Sequence, residues 1–236
     1  MTNLEIILPT LIAYATLPPQ DKSAFLQAHP ELLEQAVVEY AFSRAQTIQR
    51  SQLVQLKPSQ AEIQDFTTFA LAAYDIAAEI GEHAICADAA GILAEFSRRF
   101  GEYTDKEVWL VAQSIHSVLT YPTPKFSSTF DNIISSAVSI MSYHSQGEIE
   151  SVAAFFRQVS DLICKYIGPQ AIDELLKFLN VPHNPQSVAA SLICLVHLHL
   201  RGLPAAQALP LIARLAQSQS ANNDPLFVLT MIALSP

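Results

Sequence analysis

His83 and Cys86 stand three residues apart, a spacing that puts both side chains on one face of a helix. An imidazolium placed there lowers the pKa of a neighbouring thiol and yields a reactive thiolate. Neither a second orienting group nor a glycine-built oxyanion site accompanies the pair. Glu79 lies four residues before His83, but Gly81 breaks the helix between them. Packing of Cys86 beneath its own helix is therefore the expectation. His197 and His199 form an H-x-H within the apolar run Val188 to Leu200. On a helix, two positions two residues apart point to nearly opposite sides, so these rings cannot share a metal unaided.

Other chemistry is missing its usual signature. The sequence holds no E-x-x-H or H-E-x-x-H, and His29-Pro30-Glu31 lacks the downstream P-C-x-x-C of a zinc deaminase. There is no D-D-x-x-D and no G-x-S-x-G. The six glycines leave none for a phosphate-cradling loop, since neither G-x-G-x-x-G nor G-x-x-x-x-G-K-[ST] occurs. The expectation is thus no catalytic residue, no metal site and no cofactor, and the balance leans against an enzyme. Cys86, Cys164 and Cys194 are odd in number, far apart and free of any C-x-x-C, which fits a reducing cytoplasm.

Charge narrows the partners. The 236 residues carry a net charge of −9 with 13 Lys+Arg, and Arg98-Arg99 is the only adjacent basic pair, flanked by Glu95 and Glu102. Nucleic acid needs a basic face to release counterions, and no basic run is present. The apolar N-terminus, Met1 to Leu17, contains Ala13-Tyr14-Ala15 but has Glu5 and Pro9 where a signal peptide carries its positive region. The longest apolar stretch, Val188 to Leu200, is too short to span a bilayer.

The elements that must position these residues are helical. In Ile63, Phe66, Phe69, Ala73, Ile76 and Ile80 the apolar side chains recur at three- and four-residue steps, and Gly81 ends the pattern. Further helices are expected from Pro19, from Pro30 through Ile48, over Glu82–Phe100, from Thr104 or Asp105 to Leu119, from Ser127 or Ser128 past Met141, and over Glu148–Ile167. Gln170–Leu179, Pro185–Arg201, Pro204–Gln217 and Pro225–Leu234 complete the set. Gly81, Gly101, Gly168 and Gly202 each follow such a stretch, as helix-ending glycines do. The fold class is all-α: antiparallel helix pairs forming an irregular α-solenoid or multi-helix bundle. Two readings of the domain organisation follow: an acidic helical subdomain, 1–122, joined near Tyr121–Lys125 to a charge-poor one, 123–236, or a single continuous domain.

Two segments carry a family likeness. The hairpin Ala61 to Gly101, with small residues near its turn and aromatics late in its second helix, resembles a tetratricopeptide-type pair, though it lacks that repeat's Trp, Leu, Gly and Tyr positions. Phe25 to Leu33 (FLQAHPELL) resembles a stretch of the α-solenoid scaffold regions of bacterial signalling proteins. The resemblance implies an interaction role rather than catalysis.

Residues 185–236 contain only three charged side chains, Arg201, Arg214 and Asp224. Helices without a charged face belong in an interior or against a partner. The expectation is a scaffold or regulatory module that meets another protein, or itself, through this region, with Leu195, His199, Leu211 and Leu229 as candidate interface residues. The alternative is a helical binding protein for an apolar small molecule or cofactor. Its cavity would be lined by Met141, Phe155, Phe156, Leu192, Ile193 and His199. An enzyme of unrecognised type stands third.

Overall fold

The structure is a computed structural model that describes residues 4–51, 58–101, 103–143, 149–181 and 183–203. Among these residues there are ten α-helices and one short 3-10 turn, and no strand. The helices are α1 (Leu4–Ala15), α2 (Pro19–Ala28), α3 (Gln35–Ser51), α4 (Gln60–Ile80), α5 (His83–Phe100) and α6 (Tyr103–Leu119). They continue with α7 (Ser127–Tyr143), α8 (Ile149–Tyr166), α9 (Gln170–Leu179) and α10 (Pro185–Leu200).

Local chemistry sets most boundaries. Pro19 opens α2 at a position where a missing N–H costs nothing. Ser59 and Glu62 form a reciprocal capping box at the start of α4: the Ser59 hydroxyl accepts from the Glu62 N–H, and the Glu62 carboxylate accepts from the Ser59 N–H. The Asn184 side chain caps α10 by accepting from the Ser187 N–H at 2.8 Å, one residue before Pro185. Gly81 closes α4 in the left-handed region, at φ 77°, where a Cβ would be strained.

Two expectations change. The stretch from Pro30 begins as a separate 3-10 turn, Pro30–Leu33, and extended backbone at Glu34 divides it from α3. Gly101 is extended, at φ −109° and ψ −164°, rather than left-handed. It is glycine for a steric reason, since a Cβ there would lie 2.9 Å from the Ser97 Cα. The expected helices beyond residue 203 lie outside the described residues.

Consecutive helices pack on one another from α3 through α6, and short turns such as Gly81-Glu82 make the neighbours antiparallel. Contacts also reach beyond nearest neighbours: α1 docks on α4, α6 on α8, and α10 on both α7 and α8. Each half is thereby closed over its own apolar core. The first core gathers Leu11, Tyr14, Val38, Phe66, Phe69 and Ile76 with Cys86 and Leu93. The second gathers Phe130, Ile133, Ile140, Phe155, Phe156, Ile163 and Leu195. The helix α6 serves as the common wall, giving Ala112 to the first core and Val108, Val111 and Ile115 to the second. The expected junction at Tyr121–Lys125 falls just after that wall, in the connection to α7. Among the described residues no helix is long and apolar enough to cross a membrane.

Candidate functional site

The turn at Gly81 starts α5 with His83 and, one helical turn on, Cys86. Because α6 runs antiparallel to α5, the last turn of α6 returns to the first turn of α5 and sets His116 beside His83. Their Nδ1 atoms are 3.1 Å apart. On its other side the His116 Nε2 lies 3.2 Å from the Tyr74 hydroxyl, contributed by α4. The Cys86 thiol sits within 3.8 Å of the Tyr74 carbonyl, as a weak donor. Tyr166, the last residue of α8, packs edge-on against His116 at 4.5 Å between ring centres. His83, Cys86 and His116 each turn a ligating atom inward, and these atoms all lie within 4.8 Å of one another.

Burial governs the protonation of this cluster. His116 and Cys86 are fully buried, whereas His83 is half-buried. Burial, helped by the neighbouring His83 and Lys165, pushes the His116 imidazole down to about 4. His83 is also lowered, chiefly by burial, against a smaller opposing pull from Glu82. Both rings are therefore neutral near pH 7, and a single proton lies on the line between their Nδ1 atoms. Burial pushes the Cys86 thiol up to about 12, outweighing the attraction of Lys165. A reactive thiolate activated by His83 is thus not what the geometry provides. Cys86 is a buried thiol, as the sequence indicated, but the second group missing from the sequence reading is present as His116.

Beside the cluster lies a cleft of about 610 Å³, walled by α1, α2, α4, α6 and α8. Tyr14, Leu26, Tyr74, Trp109, Leu162 and Tyr166 supply its apolar and aromatic surface. Trp109 meets Tyr74 edge to face, with ring centres 5.1 Å apart. Two ion pairs border this surface: Lys22 with Asp75, and Lys165 with Glu79 at 3.3 Å. Each lysine also stands over a cleft tyrosine, Lys22 at 5.2 Å from the Tyr14 ring centre and Lys165 at 5.1 Å from that of Tyr166. Burial alone would lower Lys165, but Tyr166 and Glu79 outweigh it and raise it, so its charge is secure. Tyr74 and Tyr166 face both the cleft and the histidine–cysteine cluster, and burial raises both phenols above the ordinary range.

The residues expected to line a cavity are not among those that line this cleft. Met141, Phe155, Phe156, Leu192 and Ile193 are buried, four of them in the solid second core, while His199 is exposed. Leu195, a candidate interface residue, is fully buried in that core, on the helix α10 that packs against α7 and α8. Leu211 and Leu229 lie outside the described residues. His197 is buried and stacks on Phe156, while His199 is exposed, so the H-x-H rings diverge as helical spacing requires. Arg98 and Arg99 both donate to the exposed Glu95 carboxylate, which they hold down to about 2, and they form an ordinary helix end. The i, i+4 pairs Asp75/Glu79 and Asp161/Lys165 were the one available hint of the cleft, since they mark charged edges beside apolar stripes. Comparison with family models, with curated proteins and with solved structures finds no match, so the chemistry of this site is read from its own geometry.

Proposed function

We propose that the chain is a non-enzymatic binding protein that holds a small molecule with an apolar, flat body in the cleft between α1, α2, α4, α6 and α8. The cleft itself carries this reading. Its volume is that of a small-ligand site, and its wall combines aromatic surface with a few charged groups, which is the composition such sites use. The rings would sandwich the body, and the Lys22–Asp75 and Lys165–Glu79 pairs would orient a polar end.

The molecule supplies its own reporter. Trp109 is the sole tryptophan in the sequence and lines the cleft. Native mass spectrometry of freshly purified protein should reveal a co-purifying small mass, and an uncharged apolar dye should quench Trp109 saturably at one equivalent per chain. Ala78→Phe fills the cleft from its half-buried α4 wall and should abolish dye binding with little change in melting temperature. Unsaturable quenching, or saturable binding unchanged in Ala78→Phe, would refute the proposal.

A protein contact through residues 185–236 remains the second reading, on one observation: Leu200, at 62% exposure, and His199 are uncovered together at the end of the charge-poor α10.

A further inference from the structure

The histidine–cysteine cluster invites a question that the cleft does not. Two buried or half-buried imidazoles point the same nitrogen at one another, with a thiol beside them, and no carboxylate bonds either ring in the described structure. In a purely structural role one imidazole donates to the other, and the thiol contributes only a long contact to a carbonyl. The arrangement also suits a cation in place of the shared proton. A tetrahedral zinc ion with Zn–N bonds of about 2.0–2.1 Å needs its two nitrogens roughly 3.4 Å apart, and a Zn–S bond of about 2.3 Å puts sulfur roughly 3.6 Å from each nitrogen. The observed Nδ1–Nδ1 separation is 3.1 Å, and the thiol completes a group confined within 4.8 Å. Rotamer-scale shifts would close the set.

We propose that His83, Cys86 and His116 form a binding site for one Zn²⁺ ion, with His83 Nδ1, His116 Nδ1 and Cys86 Sγ as ligands and a fourth position left for water or another donor. This goes beyond ligand binding in the cleft and does not depend on it.

Three further features support the site. A histidine bound through Nδ1 must carry its proton on Nε2, and the Tyr74 hydroxyl stands at 3.2 Å to accept it, the outer-shell contact that fixes tautomer and ring orientation. Both rings are held neutral by their surroundings, so neither needs to lose a charge before it ligates. His83 is half-buried while the other two ligands are enclosed, which gives the ion one way in, past the start of α5. The thiol, raised by burial, is deprotonated only as the ion arrives. Binding then releases one proton, that of Cys86, while the proton between the rings moves from Nδ1 to Nε2 of the imidazole that carried it, which stays neutral, without any redox change. The combination of thiolate and imidazole selects zinc over magnesium or calcium, which prefer oxygen.

The test uses the full chain, reduced, stripped with a chelator and titrated with Co²⁺ and then Zn²⁺. A thiolate-to-cobalt band in the near ultraviolet should saturate at one equivalent, Zn²⁺ should displace it, and the melting temperature should rise with Zn²⁺. Cys86→Ser should remove the band, and His83→Ala should weaken binding about a hundredfold or more. If Cys86→Ser fails to fold, His83→Ala still decides the matter, because its side chain is half-exposed and its loss spares the core. A folded wild type without the band, a band that survives Cys86→Ser, or affinity unchanged in His83→Ala would each overturn the site.

Discussion

His83 and His116 meet through their Nδ1 atoms at 3.1 Å although 33 residues separate them in the chain. The contact exists because α5 and α6 form a tight antiparallel pair that turns near Gly101, so the start of one helix lies beside the end of the other. With both rings neutral, the Nδ1–H of one donates to the Nδ1 of the other, and two Nδ1–H donors meet face to face only when both rings are protonated. The burial of His116, which disfavours its charged form, gives the cluster its pH dependence.

In metal-free protein, His116 should make the fold acid-sensitive above the carboxylate range. Its folded pKa, about 4, lies below the unfolded value near 6.5, so the unfolded chain takes up the proton first as pH falls. Stability is complete above pH ~6.5 and drains away from there towards pH ~4, by about 2 kcal/mol at pH 5. Urea unfolding at pH 7 and pH 5, with chelator present, should show this loss in the wild type and a clearly smaller one in His116→Gln. Equal losses in the two proteins would mean that other groups carry the effect.

Thiol labelling should rank the cysteines by burial. Cys164 is half-buried, whereas Cys86 and Cys194 are enclosed and burial pushes both thiols up to about 12. In native protein at neutral pH, one thiol per chain should react with an aromatic disulfide, and the other two only on unfolding. His83→Ala should leave Cys86 slow, since burial rather than an ion pair sets its reactivity. Mass mapping of the labelled residue checks both points.

Two glycine substitutions should differ in sign. Gly81→Ala forces an L side chain into the left-handed region at φ 77° and should cost about 1 kcal/mol despite the open space around it. Gly91→Ala, inside α5, places its Cβ 2.7 Å from the Gln113 Nε2, the far end of a flexible side chain that can swing aside. The gain in helix propensity, up to about 1 kcal/mol, then outweighs the repacking, and the variant should be as stable as the wild type or slightly more so. Denaturant midpoints at constant m-value measure both.

Leu195→Glu and Leu200→Glu separate core from surface on α10. The first buries a carboxylate in the second core and should unfold the protein or lower its stability by several kcal/mol. The second lies at an exposed position and should change stability by less than about 0.5 kcal/mol. Native mass of Leu200→Glu against the wild type then reports on association alone: an oligomer lost without loss of melting temperature would mark the end of α10 as a contact surface.

What the sequence determined by itself was local. Apolar side chains at three- and four-residue steps specify a helix wherever they persist, and Gly81, Pro19 and Asn184-Pro185 punctuate the chain through backbone chemistry that acts within a few residues. Helices α4 to α10 accordingly fall within a few residues of where periodicity placed them, and the all-α class follows. The H-x-H divergence was equally legible, because helical rotation is a local property. Periodicity states that a face is buried but not against what. Leu195 reads as apolar whether it meets α7 and α8 or a partner, and only the docking of α10 on those helices decided for the core. The same holds for the sites. His116 is an ordinary last-turn histidine until α6 lies against α5, and Tyr14, Trp109 and Tyr166 face one cleft only because α1, α6 and α8 converge on α4. Such meetings depend on the register in which whole helices pack, a sum of many weak contacts spread over the chain, and no spacing within a single segment encodes it.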